Sequence, residues 1–415
     1  MADNTIAVAG KFLASTAVIT TYAGASLEIA QMIQQIEIFE DLYSPFITIE
    51  LEVKDGNGLI HKTPFIGEEL VTLTITDPDG KEGIIDGEFF IYKIKDKVQV
   101  SDRGFVYRIC CISTEAIVDL NLKISKAYTG QPSDIVARLL KDEGFKTNKD
   151  IFVEESLNSI SYISNYWSPL KNIKYIADRT VSRDNKAPSY VFFENKKGFA
   201  FTSIDQLVAQ KSSASFSFSV GGIGDVKRGF DRIEKIYIDS AFDYIDRIRN
   251  GSYGNNSLIV DPTKKTYQYG YYDFIDSFDN FSRLNPRPFG SDNATRKVNA
   301  VFTTRVAPSM AFAGMSSERN EDWYAQRITE LGAISTFNIE IEVAGRMNLS
   351  VGSVVEIYLY SGEIPQDGSA RNDFLQLLDK IYSGRYLITA LKSTLNTERH
   401  TMNIALSKDS IIKAL

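Results

Sequence analysis

The chain has 415 residues, 43% of them hydrophobic and 24% charged, and a net charge of −7. That length suits two to four domains, and that apolar content builds real cores, which excludes global disorder. The charge is spread thinly, and no basic run is present to neutralise a row of phosphates, which excludes tight nucleic-acid binding.

From the amino terminus, Phe12 to Thr20 is apolar but broken by Ser15 and Thr16. Asp3 stands where a secretory signal needs basic residues. No run reaches the roughly 20 apolar residues of a membrane span. The expectation is a soluble chain made in a cytoplasm. Ser26 to Gln34 fits a helix or a strand equally. Ile47 to Val53 alternates apolar and polar residues, the period of a half-buried strand, and Asp55-Gly56-Asn57-Gly58 supplies a turn. Further strands are predicted over Glu69 to Ile75, around Phe89 to Ile94 and around Phe105 to Ile112. The last carries the only cysteines, Cys110 and Cys111. Strand neighbours point to opposite faces, so one should face the core and the other away from it. They offer neither a disulfide framework nor a metal-ligand spacing.

The middle of the chain changes character. Ser133 is the predicted N-cap of a helix carrying Ile135, Val136, Leu139 and Leu140 and ended by Gly144. Ser168-Pro169 opens a second helix with Leu170, Ile173, Ile176 and Ala177 on one face. A hairpin follows, Tyr190 to Glu194 and Phe199 to Ser203, about the turn Asn195-Lys196-Lys197-Gly198. These make a small α/β domain. The Ser/Gly-rich stretch Lys211 to Gly224 reads as a linker. Its Gly221-Gly222-Ile223-Gly224 lacks the closing glycine of a dinucleotide loop. An insertion over 246–325 is rich in aromatics, among them Tyr253, Tyr267, Tyr269, Tyr271, Tyr272, Phe274, Phe278 and Phe281. Ordinary packing on a sheet and an inter-subunit face both account for it, since tyrosine is enriched at interfaces.

The last part repeats the first. Phe337 to Val343 has the alternation of Ile47 to Val53. Gly352 to Leu359 echoes Gly67 to Leu73, Gly384 to Lys392 echoes Gly87 to Lys95, and Thr401 to Ser407 echoes Val106 to Ile112. Four strands in one order, with glycines at matching places, imply two copies of one β-domain.

Catalytic constellations are absent from the sequence. The only histidines, His61 and His400, sit by turns of the two β-domains, away from the cysteines and from each other, so no zinc site is expected. There is no Gly-x-Ser-x-Gly elbow and no Walker-type loop. Glu68-Glu69 and Glu154-Glu155 would diverge on strands and make poor glycosidase pairs. The expected catalytic, cofactor-binding and metal-binding residues are none, and so are the cofactors.

The whole order resembles the baseplate central hub proteins of T-even-type contractile-tailed phages and the related hub portions of type VI secretion spikes. The likeness rests on Ile38 to Val53 with Asp55-Gly56 and Ile66-Gly67-Glu68-Glu69, on Trp167-Ser168-Pro169-Leu170 with Ile176-Ala177-Asp178-Arg179, and on Tyr190 to Glu194 with Gly198-Phe199. Phe242 to Ile245 with Asn250 to Gly254, and Ser383 to Ile388 with Ser407 to Ser410, complete it. The resemblance implies a mixed, mainly β fold: two duplicated tube-like β-barrel domains, a small α/β middle domain and the aromatic-rich insertion. The expected division is 1–125 for the first tube-like domain, 126–215 for the middle domain, 216–245 with 326–415 for the second tube-like domain, and 246–325 for its insertion.

The resemblance further implies a structural, non-enzymatic homotrimer in the virion tail baseplate, assembled in the host cytoplasm. Three chains would form a quasi-six-fold ring between the tail tube and a central spike, with DNA as a passenger in transit and no membrane span. Tail tube or tube-initiator proteins, other baseplate proteins and the tape measure are the implied neighbours. Because the chain ends at Leu415, just after the last tube-like strand, the spike is expected to be a separate protein. A lumen that DNA crosses should be acidic or neutral, with Glu50, Glu52, Glu340 and Glu342 as candidates to line it. A tail-associated cell-wall-degrading enzyme and a glycan-binding adhesion protein are the alternatives.

Overall fold

The computed structural model describes residues 13–22, 24–56, 58, 65–76, 83–101, 104–218, 231–241, 244–261, 265–289, 299–304, 323–359, 378–396 and 399–412. His61, Gly221 to Gly224 and Phe242-Asp243 lie outside the described residues.

The first half of the fold contains β1 (Leu13–Thr20), β2 (Ser26–Glu28), β3 (Ile33–Asp41), β4 (Thr48–Asp55), β5 (Leu70–Thr76), β6 (Gly83–Gln99) and β7 (Phe105–Ser113). Ser26 to Gln34 is thus neither one helix nor one strand: a 3-10 turn, Ala30–Met32, separates β2 from β3. Alternation sets the burial, with Ile49, Leu51 and Val53 covered while Glu50 and Glu52 between them stay partly open. Ala17, Ile19, Ile38, Ile49, Leu73 and Tyr107 belong to the same core. Each fully buried aliphatic contributes roughly 1.5–3 kcal/mol over an exposed one. No helical layer lies on this apolar face among the described residues, so the sheet must curl on itself to cover it.

α1 (Thr114–Asn121) leads into the middle unit, which contains β8 (Ile124–Gly130), α2 (Pro132–Arg138), β9 (Ile151–Val153), β10 (Ile160–Trp167), α3 (Pro169–Ala177), β11 (Tyr190–Asn195), β12 (Gly198–Ser203) and α4 (Ile204–Ala209). Ser133 is not the cap of α2. Pro132 takes the first helical position, Gln131 precedes it, and the Ser133 hydroxyl lies 3.1 Å from that of Ser156. Ser168 does cap α3, accepting from the Lys171 N–H at 3.3 Å. Ile135, Val136, Leu139, Leu140, Ile173 and Ile176 share one core with Phe199 and Phe201.

The second half contains β13 (Ala214–Phe218), β14 (Ile233–Ala241), α5 (Tyr244–Asn250), β15 (Gly254–Asp261), β16 (Thr266–Asp273), β17 (Arg287–Pro288), β18 (Asn299–Thr304), α6 (Tyr324–Ile334), β19 (Phe337–Ala344), β20 (Val354–Leu359), β21 (Gly384–Asn396), β22 (His400–Lys408) and β23 (Ser410–Ile411). The stretch read as a linker is partly a strand: β13 pairs in parallel with β20, and Phe216 is buried in the second core. The polar serines around Phe216 hid that strand from a composition argument.

The two halves have one topology. Their strand orders are β5-β6-β7-β4-β3 and β20-β21-β22-β19-β14, and every neighbouring pair in both is antiparallel. The registers agree residue by residue: Ile49 faces Cys111 as Ile339 faces Leu406, and Val53 faces Tyr107 as Val343 faces Met402. Two irregularities recur as well, while the slips of β6 between Lys95 and Val98 and of β14 between Ile238 and Ser240 have no twin in β21 or β3. β6 slips against β7 between Ile91 and Lys93, and β21 slips against β22 between Ile388 and Ala390. β3 and β14 slip at Ile33/Gln35 and Ile233/Lys235. Bulges fix register and twist, so shared bulges mean shared backbone paths. One detail differs from the sequence alignment. Val71 pairs with Phe89 as Val355 pairs with Tyr386, which puts Gly67 one residue further from its strand than Gly352 is from its own.

As strand alternation predicts, the two cysteines point to opposite faces, and both are nonetheless buried, at 2% and 1% exposure. Cys111 lies in the first core, while Cys110 lies on the opposite face and is covered beside Glu50 and Lys95. Burial pushes both thiols up from their ordinary range.

Candidate functional site: the strand junction, its polar face and the three-way seam

A single sheet runs through both halves because β21 crosses from one to the other. Its proximal part pairs with β20 and β22, and from Ala390 to Asn396 it pairs with β3 as well. Ala390 faces Asp41 and Thr394 faces Glu37. The junction is dry on its apolar side. Ile36, Ile38 and Leu395 are almost fully covered in the first core, and Leu391 in the second. Leu42, just past β3, donates its N–H to the Thr389 carbonyl at 2.8 Å and is buried in the second core.

The opposite side of the sheet is polar and carries all four glutamates singled out in the sequence. Glu50 and Glu52 come from β4, Glu340 and Glu342 from β19. Cations answer three of them: Lys95 pairs with Glu50 at 2.6 Å, Arg108 with Glu52 at 3.2 Å, and Lys235 with Glu342 at 2.8 Å. Lys392 crosses the junction to Glu37 at 2.7 Å. Partly exposed pairs of this kind contribute only about 0–1 kcal/mol each. Their main effect is to hold the face near neutrality.

A seam of buried charge fastens the middle unit to both halves. Glu194, on β11, accepts from the Ile47 N–H at 2.9 Å, the Ser113 hydroxyl at 2.6 Å and the Lys149 ammonium at 2.7 Å. Lys149 also reaches Glu115 at 2.7 Å. Burial pushes Glu194 up against the pull of Lys149. Burial works against the Glu115 charge too, yet Lys149 and Thr147 hold it below its usual range. On the other flank, Glu40 accepts from the Val351 N–H at 3.2 Å, Asn195 donates to the Val351 carbonyl at 3.1 Å, and Lys196 donates to the Met347 carbonyl. Gly352 is required there: its φ is +84°, and a Cβ would lie 2.9 Å from the Phe193 ring.

Two titrations near Lys196 oppose each other. Burial lifts Glu40 from 4.5 to about 7, against Lys196 and the Val351 N–H. Burial lowers His400 from 6.5 to about 4, helped by Lys196. The folded chain therefore keeps a Glu40 proton that the unfolded chain releases between 4.5 and about 7, and this makes stability fall as pH rises. His400 does the reverse. Between about 4 and 6.5 the unfolded chain takes up a proton the folded chain refuses, so stability rises with pH. The two slopes oppose each other between pH 4.5 and 6.5. Glu40→Gln should uncover the rising slope, at most about 1.4 kcal/mol per pH unit. Urea midpoints measured across that window check this; identical slopes in the variant and the parent would remove the assignment.

His400 sits beside the turn before β22, as expected, and is buried there, so close to Gly345 that a Cβ at that glycine would lie 2.0 Å from Nδ1. No group of three or more His, Cys, Asp or Glu is placed to hold a metal among the described residues. Nor is any described helix long and apolar enough to cross a membrane. The insertion divides its aromatics. Phe274 and Phe278 pack with Ala333, whereas Tyr267, Tyr269 and Tyr271 stand exposed along β16, which among the described residues pairs only with β15. Sequence reading missed β14, the twin of β3, and with it the junction strand. The available signal was Ile233, Ile236 and Ile238 set around a bulge.

These observations define a duplicated-sheet protein whose halves join edge to edge and share one polar face. No protein-family model matches the chain, and no curated protein matches it in sequence. Solved structures do. The fold is that of phage tail proteins. The tail protein from Neisseria meningitidis MC58 is similar with a TM-score of 0.56 and 11% identity, covering 95% of this chain and 96% of that one. The 43 kDa tail protein of prophage MuSo2 from Shewanella oneidensis is similar with a TM-score of 0.55 and 12% identity, covering 95% and 99%.

Proposed function

We propose that this chain is a structural, non-enzymatic hub subunit of a contractile phage-tail baseplate, three copies of which form a ring between the tail tube and the central spike. The observation that carries the reading is the repeated strand order of the two halves, joined through β21 and β3. Two equivalent units in one chain reconcile a six-fold tube with a three-fold spike: three chains present six similar sheets. The near-neutral polar face suits the lumen, because a passage that held phosphates would stall DNA in transit. The middle unit and the insertion belong on the outside of such a ring. The division at 125, 215, 245 and 325, assembly in the host cytoplasm, and contacts with tube and other baseplate proteins are part of this proposal. The likeness of fold to phage tail proteins supports it.

Electron microscopy of the purified protein tests it. Class averages should show a closed ring with an open centre, six similar inner lobes and three outer ones. Averages with two-fold symmetry, or particles without a central opening, would end the proposal.

A further inference from the structure

The repeat assigns a partner to every strand but leaves one junction unmade. Since β6 is the twin of β21 and β14 the twin of β3, the β21–β3 junction has a counterpart between β6 and β14. Within the chain that counterpart does not form: among the described residues, β6 beyond Ile91 pairs only with β7, and β14 only with β19.

Burial follows the same division. Ile38 is 1% exposed in the made junction, and its register twin Ile238 is 44% exposed. On the two open edges Val98 is 57% exposed and Tyr237 64%. Apolar side chains on open strand edges are an aggregation hazard unless something covers them. A cleft completes the pattern. Beside Tyr92, the bulge twin of Thr389, Phe65, Ile66, Glu69, Ile91 and Ile94 line an open space of about 240 Å³. At the corresponding place in the made junction, Leu42 is bonded to the Thr389 carbonyl and buried.

We infer that the distal half of β6 in one copy pairs antiparallel with β14 of a second copy, in the register of the internal junction. This rests on the ring reading and gives its contact a definite geometry. The register can be worked out. Thr394 faces Thr401 on β22, and Val98 faces Val106 at the matching place on β7, so Val98 is the twin of Thr394. Glu37 faces Glu50, and Tyr237 faces Glu340 at the matching place, so Tyr237 is the twin of Glu37. Thr394 faces Glu37 in the made junction, and Val98 therefore faces Tyr237 across the new one. Lys95 and Ser240 take the places of Lys392 and Phe39. The contact is heterologous, first half to second half, so it propagates around a ring and does not stop at a pair.

Cysteine cross-linking of the full chain tests the register. Val98→Cys with Tyr237→Cys puts two thiols on directly opposed strand positions, within disulfide reach. Mild oxidation should convert most of the protein to covalent dimers and trimers, reversed by reductant. Val98→Cys with Lys235→Cys, displaced by two positions, should give at least five-fold less, and each single variant none above the parent. The native mass of the same unoxidised samples separates the two ideas. A trimer that cross-links better through the displaced pair, or through neither, overturns the register while the ring stands. A monomer that cross-links through neither pair overturns both.

Discussion

Replacing Glu194 with alanine is expected to cost about 3–5 kcal/mol of stability, because it leaves the buried Ile47 N–H and Ser113 hydroxyl without their acceptor and takes from Lys149 one of its two carboxylate partners. Glu194 is 2% exposed and serves three donors at once, the Ile47 N–H, the Ser113 hydroxyl and Lys149. Two of these belong to the first half and one to the middle unit. The side chain is therefore a clamp between units as well as a local contact. Water cannot take over from it at the buried Ile47 N–H and Ser113 hydroxyl, so these two donors keep their desolvation cost. Glu194→Gln should cost less, since an amide oxygen still accepts while the charge opposite Lys149 is lost. A double-mutant cycle with Lys149→Met measures the part carried by the Glu194–Lys149 pair, Lys149 also being the cation that holds buried Glu115. Chemical denaturation reads all five chains, the Lys149→Met single variant included. An alanine variant within about 1 kcal/mol of the parent would show that the clamp carries little, since ordinary surface changes fall below that.

Arg283→Met is expected to be comparably damaging, about 3–5 kcal/mol, for a related reason. Arg283 grips Glu330 on α6 at 2.6 and 3.0 Å and stands 3.7 Å from Asp409 beside β23. Its guanidinium also covers the rings of Phe274 and Phe278, at 4.5 and 5.2 Å from their centres. One side chain thus ties the insertion to α6 and to the carboxyl-terminal strands. Removing it exposes two buried carboxylates to each other. Burial already raises Asp409, and Arg283 is the main group holding it down. Without Arg283 the folded state should bind a proton at Asp409 more readily than the unfolded state does. The gap between variant and parent should then narrow as pH falls. A gap that widens with acid would contradict this account of Arg283.

Much of the architecture was legible in the sequence because period-two alternation and turn residues report directly on half-buried strands. Ile47 to Val53 and Phe337 to Val343 fall in equivalent registers for that reason. Phe89 to Ile94 and Tyr386 to Leu391 match down to the bulge. What escaped were strands whose identity depends on a partner. β14 has isoleucines on both sides of a bulge, and bulges break the alternation that pattern reading relies on. β13 is a serine-rich strand that exists because β20 offers it a parallel edge. The seam was invisible for a different reason. Glu40, Glu194, Lys149 and Val351 are far apart in sequence, and each alone reads as an ordinary surface or strand residue. His400 was legible as a residue beside a turn, but its burial follows from the close approach of Gly345, which only the fold supplies.

The central claim, a ring built from duplicated chains, is tested most directly by the native mass of the purified protein. The account expects a species at three times the 46.5 kDa of one chain, stable on dilution into the micromolar range. A stable dimer or tetramer, or a monomer at every concentration, would contradict it.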